Sequence, residues 1–168
     1  VAAIINDNSN IKLYNININP TRNGILIALE KMGANIKYLN ERTSNNEKIC
    51  DIEIRNSKLT GCILDSDFSK LMIDEYPILS IAASFAVSPS IFKGLGELRV
   101  KESDRLNLIM LNLQRCGVEC KIENDDLHIF PKKNFIIKNK TIKTDFDHRI
   151  AMAFAVMGTK IGPLEIED

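Results

Sequence analysis

Two stretches of this chain follow one plan, and that repetition limits its fold more than any other feature. Pro20-Thr-Arg22 through Met32-Gly33-Ala34 runs parallel to Ser103-Asp-Arg105 through Cys116-Gly117-Val118. Each joins a capping residue and an arginine to an apolar stripe, a glycine stop and a strand. The stripes are Ile25, Leu26, Leu29 and Met32, then Leu106, Ile109, Met110 and Leu113. Asp74 and Asp147 each open a helix with almost no polar face, Ile78 to Ala86 and Ile150 to Met157. A helix that is apolar all round is buried all round. The unit is therefore strand, amphipathic helix, strand, strand, buried helix. It recurs at 73 residues (Asp74 to Asp147) or 84 (Gly33 to Gly117). A unit that cannot cover its own apolar face must stack on its neighbours, which makes this an α/β chain of repeats.

The spacing predicts strands over 11–18, 35–39, 51–55, 62–64, 118–122 and 127–130, with extended chain over 136–142. Asn19-Pro20 reads as a helix cap, and the polar run 40–48 as a turn. Asp74 reads as an N-cap and Ser103 as another. Leu98 to Val100 reads as strand beyond Gly96. His128 reads as an outward strand residue and 132–143 as a solvated strand-and-loop face.

The 168 residues carry 22 basic and 22 acidic side chains, so no net field draws the chain to nucleic acid or an anionic membrane. No apolar run approaches the ~20 residues that span a bilayer. Val1 to Ile5 lacks the flank and length of a signal peptide and reads as the tail of an apolar helix. Glu165 to Asp168 stops where a strand would hand on, so the chain reads as a segment of a longer one or a remnant. The cysteines Cys50, Cys62, Cys116 and Cys120 lack zinc-ligand spacing and read as reduced, mostly buried thiols of a cytoplasmic protein.

Charge concentrates at two helix starts. Glu97-Leu-Arg-Val-Lys-Glu-Ser-Asp-Arg105 puts Arg99, Lys101 and Arg105 beside Glu97, Glu102 and Asp104. Asp147-His-Arg149 opens the last apolar helix. Arginines at helix N-termini suit a polyanionic ligand, with carboxylates at hand for proton transfer. Either arginine could instead pair with Asp104 or Asp147 in a surface bridge of little consequence.

Glu97 to Arg105 closely resembles a signature of the 5-enolpyruvylshikimate-3-phosphate synthase family, and Asp147-His-Arg-Ile-Ala-Met152 resembles its second. Ile73 to Leu79 and Asn19-Pro-Thr-Arg22 agree with the intervening segments. The resemblance implies an inside-out α/β barrel lobe of strand–helix units with buried helices, of which residues 1–168 form a partial lobe of about two repeats. It implies enolpyruvyl transfer from phosphoenolpyruvate to the 5-hydroxyl of shikimate-3-phosphate, with no metal or cofactor. Asp74 would be the base or orienter at that hydroxyl, and Glu102 the proton donor near C3 of phosphoenolpyruvate. Arg105 and Arg149 would hold phosphoenolpyruvate, His148 would hydrogen-bond nearby, and Lys101 would lie near the shikimate. Glu97, Arg99, Asp104 and Arg22 would orient or support.

The family site lies between two lobes, so this chain alone is expected to be inactive, with a complementary lobe conceivable on another chain. A lobe lacking part of a repeat would leave one side of the Asp74 and Asp147 helices uncovered. Two other readings are the related UDP-N-acetylglucosamine enolpyruvyl transferase and a non-catalytic anion-binding module on the same repeats.

Overall fold

The computed structural model describes residues 1–132 and 137–168. Its first unit comprises α1 (Ala2–Ile5), β1 (Asn10–Asn17), α2 (Gly24–Lys31), β2 (Asn35–Ser44), β3 (Glu47–Arg55), β4 (Ile63–Leu64), α3 (Ser69–Met72) and α4 (Tyr76–Ser84). The second comprises β5 (Ser90–Phe92), α5 (Arg105–Arg115), β6 (Glu119–Glu123), β7 (Asp126–Phe130), β8 (Thr141–Lys143) and α6 (His148–Ile161), and β9 (Glu165–Glu167) follows. Short 3₁₀ turns at Ser66–Phe68, Ile73–Glu75 and Gly96–Val100 fill the joints.

The repeat is visible in the sheets. Strands of the first unit order as β1-β3-β2, and those of the second as β5-β7-β6, all antiparallel. The last short strand of one unit then pairs parallel with the first strand of the next, β4 with β5 and β8 with β9. Each amphipathic helix ends alike. Gly33 and Gly117 take φ of +86° and +88°, where a side chain would be strained. The next amide reaches back five residues, Ala34 N to Leu29 O and Val118 N to Leu113 O, both 2.9 Å. That is the closure expected of a glycine-stopped helix. The three sheets are open, so the described residues form an α/β fold without a closed barrel.

Several local expectations shift. Asn19-Pro20 forms a turn in which Asn19 Oδ1 accepts from Thr21 N at 3.0 Å, and α2 starts only at Gly24. The run 40–48 is not a loop. β2 and β3 continue through it as a hairpin, closed by Asn45 and Asn46 in the left-handed region. Gly96–Val100 is a 3₁₀ turn and not a strand. Part of the extended stretch 136–142 and of the polar face 132–143 lies outside the described residues, and among those described only 141–143 is strand. His128 is half-buried in β7, stacked 6.4 Å from Phe130. Cys50, Cys116 and Cys120 are buried free thiols, as read, and Cys62 is partly covered. Burial alone pushes Cys116 up to about 11 and Cys120 up to about 12, so both stay protonated at neutral pH.

α4 is buried along its length and packs on α6 and β7. Its two serines are satisfied within the helix, Ser80 Oγ donating to Tyr76 O and Ser84 Oγ to Ser80 O, each at 2.8 Å. The expectation of an uncovered side therefore fails for α4 and holds for α6, whose Met152 and Ala155 face outward. No described helix is long and apolar enough to cross a membrane.

Tyr76 anchors α4 against Phe92, with ring centroids 5.6 Å apart, yet its buried hydroxyl has no hydrogen-bond partner among the described residues. Leaving a buried hydroxyl unpaired costs about 1–3 kcal/mol. Tyr76→Phe is therefore expected to leave stability unchanged or raise it by about 1 kcal/mol in urea denaturation. A clear loss would mean that the hydroxyl is bonded.

Candidate active site

The Glu97–Arg105 segment owes its shape to a distant hairpin. The β6–β7 turn has Asn124 and Asp125 at φ of 49° and 66°. It grips the segment three ways: Leu95 N donates to Asp125 O (2.9 Å), Gly94 N to Asp126 Oδ1 (2.8 Å) and Arg99 Nε to Asp125 Oδ1 (2.7 Å). A Cβ on Gly96 would lie 2.8 Å from Asp125 Oδ2, so a side chain there would push the Asp125 carboxylate from its present place. Arg99 also reaches Asp104 at 3.2 Å. Asp104, not Ser103, caps α5 by accepting from Asn107 N at 3.0 Å. Ser103 is turned inward, where its Oγ donates to Asp147 Oδ2 at 2.9 Å.

Arg105 is the centre. Its side chain is 1% exposed and meets three carboxylates: Asp147 through Nε at 2.7 Å, Asp74 through Nη1 at 2.9 Å, and Glu102 through Nη2. Asp147 is fully buried. Its Oδ1 accepts from Arg149 N at 2.9 Å and so caps α6. The preceding Asp145 and Phe146 both take positive φ, which turns Asp147 inward and leaves Phe146 83% exposed. Burial works to raise the Asp147 pKa. Hydrogen bonds from Arg105, Ser103 and the Arg149 amide outweigh it and hold the carboxyl below its usual range.

Arg149 lies at the rim, 33% exposed. It donates to Asp74 O at 3.2 Å and sits 3.4 Å from Asp74 Oδ2 and 3.8 Å from Glu75 Oε1. Asp74 lies in the 3₁₀ turn before α4 and does not cap that helix; its carboxylate is spent on the two arginines. Burial raises the Glu75 carboxyl pKa, against an opposing pull from Arg149. Lys101 donates instead to Glu97 at 2.6 Å. His148 is exposed at the first position of α6 and takes no part in the described hydrogen bonds.

Thus Asp74, Glu102, Arg105 and Arg149 converge, although they are scattered from residue 74 to 149. Lys101 and His148 flank them in sequence but not in hydrogen bonding. The surface-bridge expectation is corrected: Arg105 and Asp147 form a buried pair, and Asp104 pairs with Arg99. Asp147 and Ser103, read from the sequence as helix starts, are cluster members, and so is Glu75, which the sequence did not single out. Around two guanidiniums stand four carboxylates, of Asp74, Glu75, Glu102 and Asp147. Such an array can hold and relay protons and orient a hydroxyl, but it carries excess negative charge.

The family model for EPSP synthase (3-phosphoshikimate 1-carboxyvinyltransferase) matches residues 1–168. The chain belongs to the EPSP synthase family. It is 41% identical over 170 residues to the 3-phosphoshikimate 1-carboxyvinyltransferase of Pseudomonas sp. (strain PG2982), covering all of this chain and 38% of that relative. The same enzyme of Brucella suis biovar 1 (strain 1330) is 39% identical over 170 residues with the same coverage. Among solved structures, an EPSP synthase from Acinetobacter baumannii superposes with a TM-score of 0.90 at 36% identity, covering 99% of this chain and 39% of that one. The enolpyruvyl transferase NikO from Streptomyces tendae, at 10% identity and a TM-score of 0.66, shares the fold alone. The chain thus spans 38% of the length of the curated EPSP synthases it matches.

Proposed function

We propose that this chain is a partial lobe, of about two repeats, that supplies one wall of an enolpyruvyl transferase site. The reaction transfers the enolpyruvyl group of phosphoenolpyruvate to the 5-hydroxyl of shikimate-3-phosphate. The observation that carries this reading is the junction at Arg105 of Asp74 from one unit with Glu102 and Asp147 from the next.

In this reading Asp74 takes the proton of the 5-hydroxyl as its oxygen bonds to C2 of phosphoenolpyruvate. Glu102 delivers a proton to C3, which gives a tetrahedral adduct. Glu102 then withdraws a C3 proton as the C2–O bond to phosphate breaks, and inorganic phosphate leaves with the proton that Asp74 took from the hydroxyl. Arg149, at the rim, and Arg105 hold the phosphoenolpyruvate anion, and Arg105 also fixes Asp74. Lys101, held on Glu97, faces the shikimate side, and His148 donates a hydrogen bond once the site closes.

The charge balance explains why one wall does not suffice. Four carboxylates against two guanidiniums repel two anionic substrates unless further cations arrive from elsewhere. Those cations belong to the remainder of a longer polypeptide, or to a complementary lobe on another chain. The same imbalance weighs against a stand-alone anion-binding module. The 168-residue chain is therefore expected to release no phosphate above background when given both substrates. Turnover by the chain alone would overturn the reading.

A further inference from the structure

We propose that Glu102 is a displaceable internal counter-anion that occupies the ligand face of Arg105 and so sets which anions can enter; this rests on the enolpyruvyl transfer reading. Arg105 spends its Nε–H, one Nη1–H and one Nη2–H on three carboxylates, and its side chain is 1% exposed. Two N–H groups remain unspent, but with so little of the side chain exposed a ligand reaches the guanidinium only when a covering group moves, and the carboxylates are the groups held against it.

The three differ in how firmly they are held. Asp147 is fully buried and also bonded to Ser103 Oγ and the Arg149 amide. Asp74 is shared with Arg149 and carried at the head of the buried α4. Glu102 is 53% exposed, sits on the irregular bend between the 3₁₀ turn Gly96–Val100 and α5, and has Arg105 as its described partner. A half-exposed carboxylate regains water readily when its partner is taken.

A tethered carboxylate competes at high effective concentration. A small monoanion such as acetate therefore fails to displace it. A ligand with two anionic groups, one on the vacated Arg105 face and one on Arg149, succeeds. The selected class is phosphorylated carboxylic acids, and exchange frees Glu102 to face the bound ligand only once the ligand is in place.

The test titrates a chimera, in which this chain replaces the matched stretch of a full-length EPSP synthase, with phosphoenolpyruvate, inorganic phosphate and acetate, following isotope-labelled glutamate carboxylates by NMR. The Glu102 signal, assigned through Glu102→Gln, is expected to move saturably with phosphoenolpyruvate and not with acetate. Glu102→Ala should tighten phosphoenolpyruvate binding about tenfold, as loss of a competing charged hydrogen bond does. Glu75→Gln removes the same charge without vacating Arg105 and should change affinity about twofold or less. Equal effects of the two variants, saturation with the Glu102 signal unmoved, or no anion binding to either form at millimolar concentrations would each overturn the exchange. Displacement by inorganic phosphate as readily as by phosphoenolpyruvate would overturn the selection of two-headed anions, whereas exchange in a chimera that forms no enolpyruvylshikimate phosphate would keep the proposal and remove the transferase reading.

Discussion

Replacing Asp147 by alanine is expected to lower the free energy of unfolding by about 3–5 kcal/mol, the loss seen when one partner of a buried ion pair is removed. The variant strips Arg105 of its buried partner, Ser103 of its acceptor and α6 of its cap at once. A single domain has only about 5–15 kcal/mol to lose. Asp104→Ala, which removes an exposed cap from α5, should cost about 1 kcal/mol. Urea denaturation of the two variants side by side measures the contrast, and equal losses would mean that the Asp147 pair adds nothing beyond capping. Acid should mimic the larger loss. The folded-state pKa of Asp147 is depressed, so its stabilisation is complete above the unfolded value near ~3.9. It fades as pH falls below that value and is gone once the pH passes the depressed one. Asp51 adds to the same trend: Asn40, the Asn15 amide and Arg42 hold its carboxyl low within β3.

The second large effect separates the two arginines. In a full-length assembly, Arg149→Ala is expected to cut kcat/KM by about 10²–10³-fold, the scale on which removal of one transition-state donor acts. It should change stability by no more than about 1 kcal/mol, because its contacts lie at a partly exposed rim. Arg105→Ala should instead destabilise as severely as Asp147→Ala, since it leaves Asp147 charged and buried. Both effects come from one chimera in which this chain replaces the matched stretch of a full-length EPSP synthase. An Arg149→Ala chimera with unchanged kcat/KM would remove Arg149 from the site.

Much of this architecture can be read from residue order, because the repeat writes each element twice. The stripe of α5, the glycine stops and the β6–β7 hairpin all follow from short-range pattern. Failures occur where a distant contact decides. Leu98-Arg99-Val100 alternates like a strand, but the grip of Asp125 and Asp126 on residues 94–99 winds it into a 3₁₀ turn. Ser103 and Asp104 are both able to cap; Asp147, more than 40 residues away, claims Ser103 and leaves Asp104 to the helix. The run 40–48 is polar because both faces of that hairpin arm meet water, so it lacks the alternation that marks a half-buried strand. The site residues stood out through the two signatures and, for Asp74, the segment Ile73 to Leu79, but the different burial of the two arginines did not. Sequence treats Arg105 and Arg149 alike, whereas burial makes one the structural hub and the other the exposed hand.

Asp74, Glu102, Arg105 and Arg149 are expected to form a working wall that lacks only what the rest of an EPSP synthase supplies. Formation of enolpyruvylshikimate phosphate by the purified, folded chimera tests it most directly. Turnover is expected, and Glu102→Gln should abolish it while urea stability holds. A chimera that unfolds cooperatively yet yields no product, or one indifferent to Glu102→Gln, would contradict it.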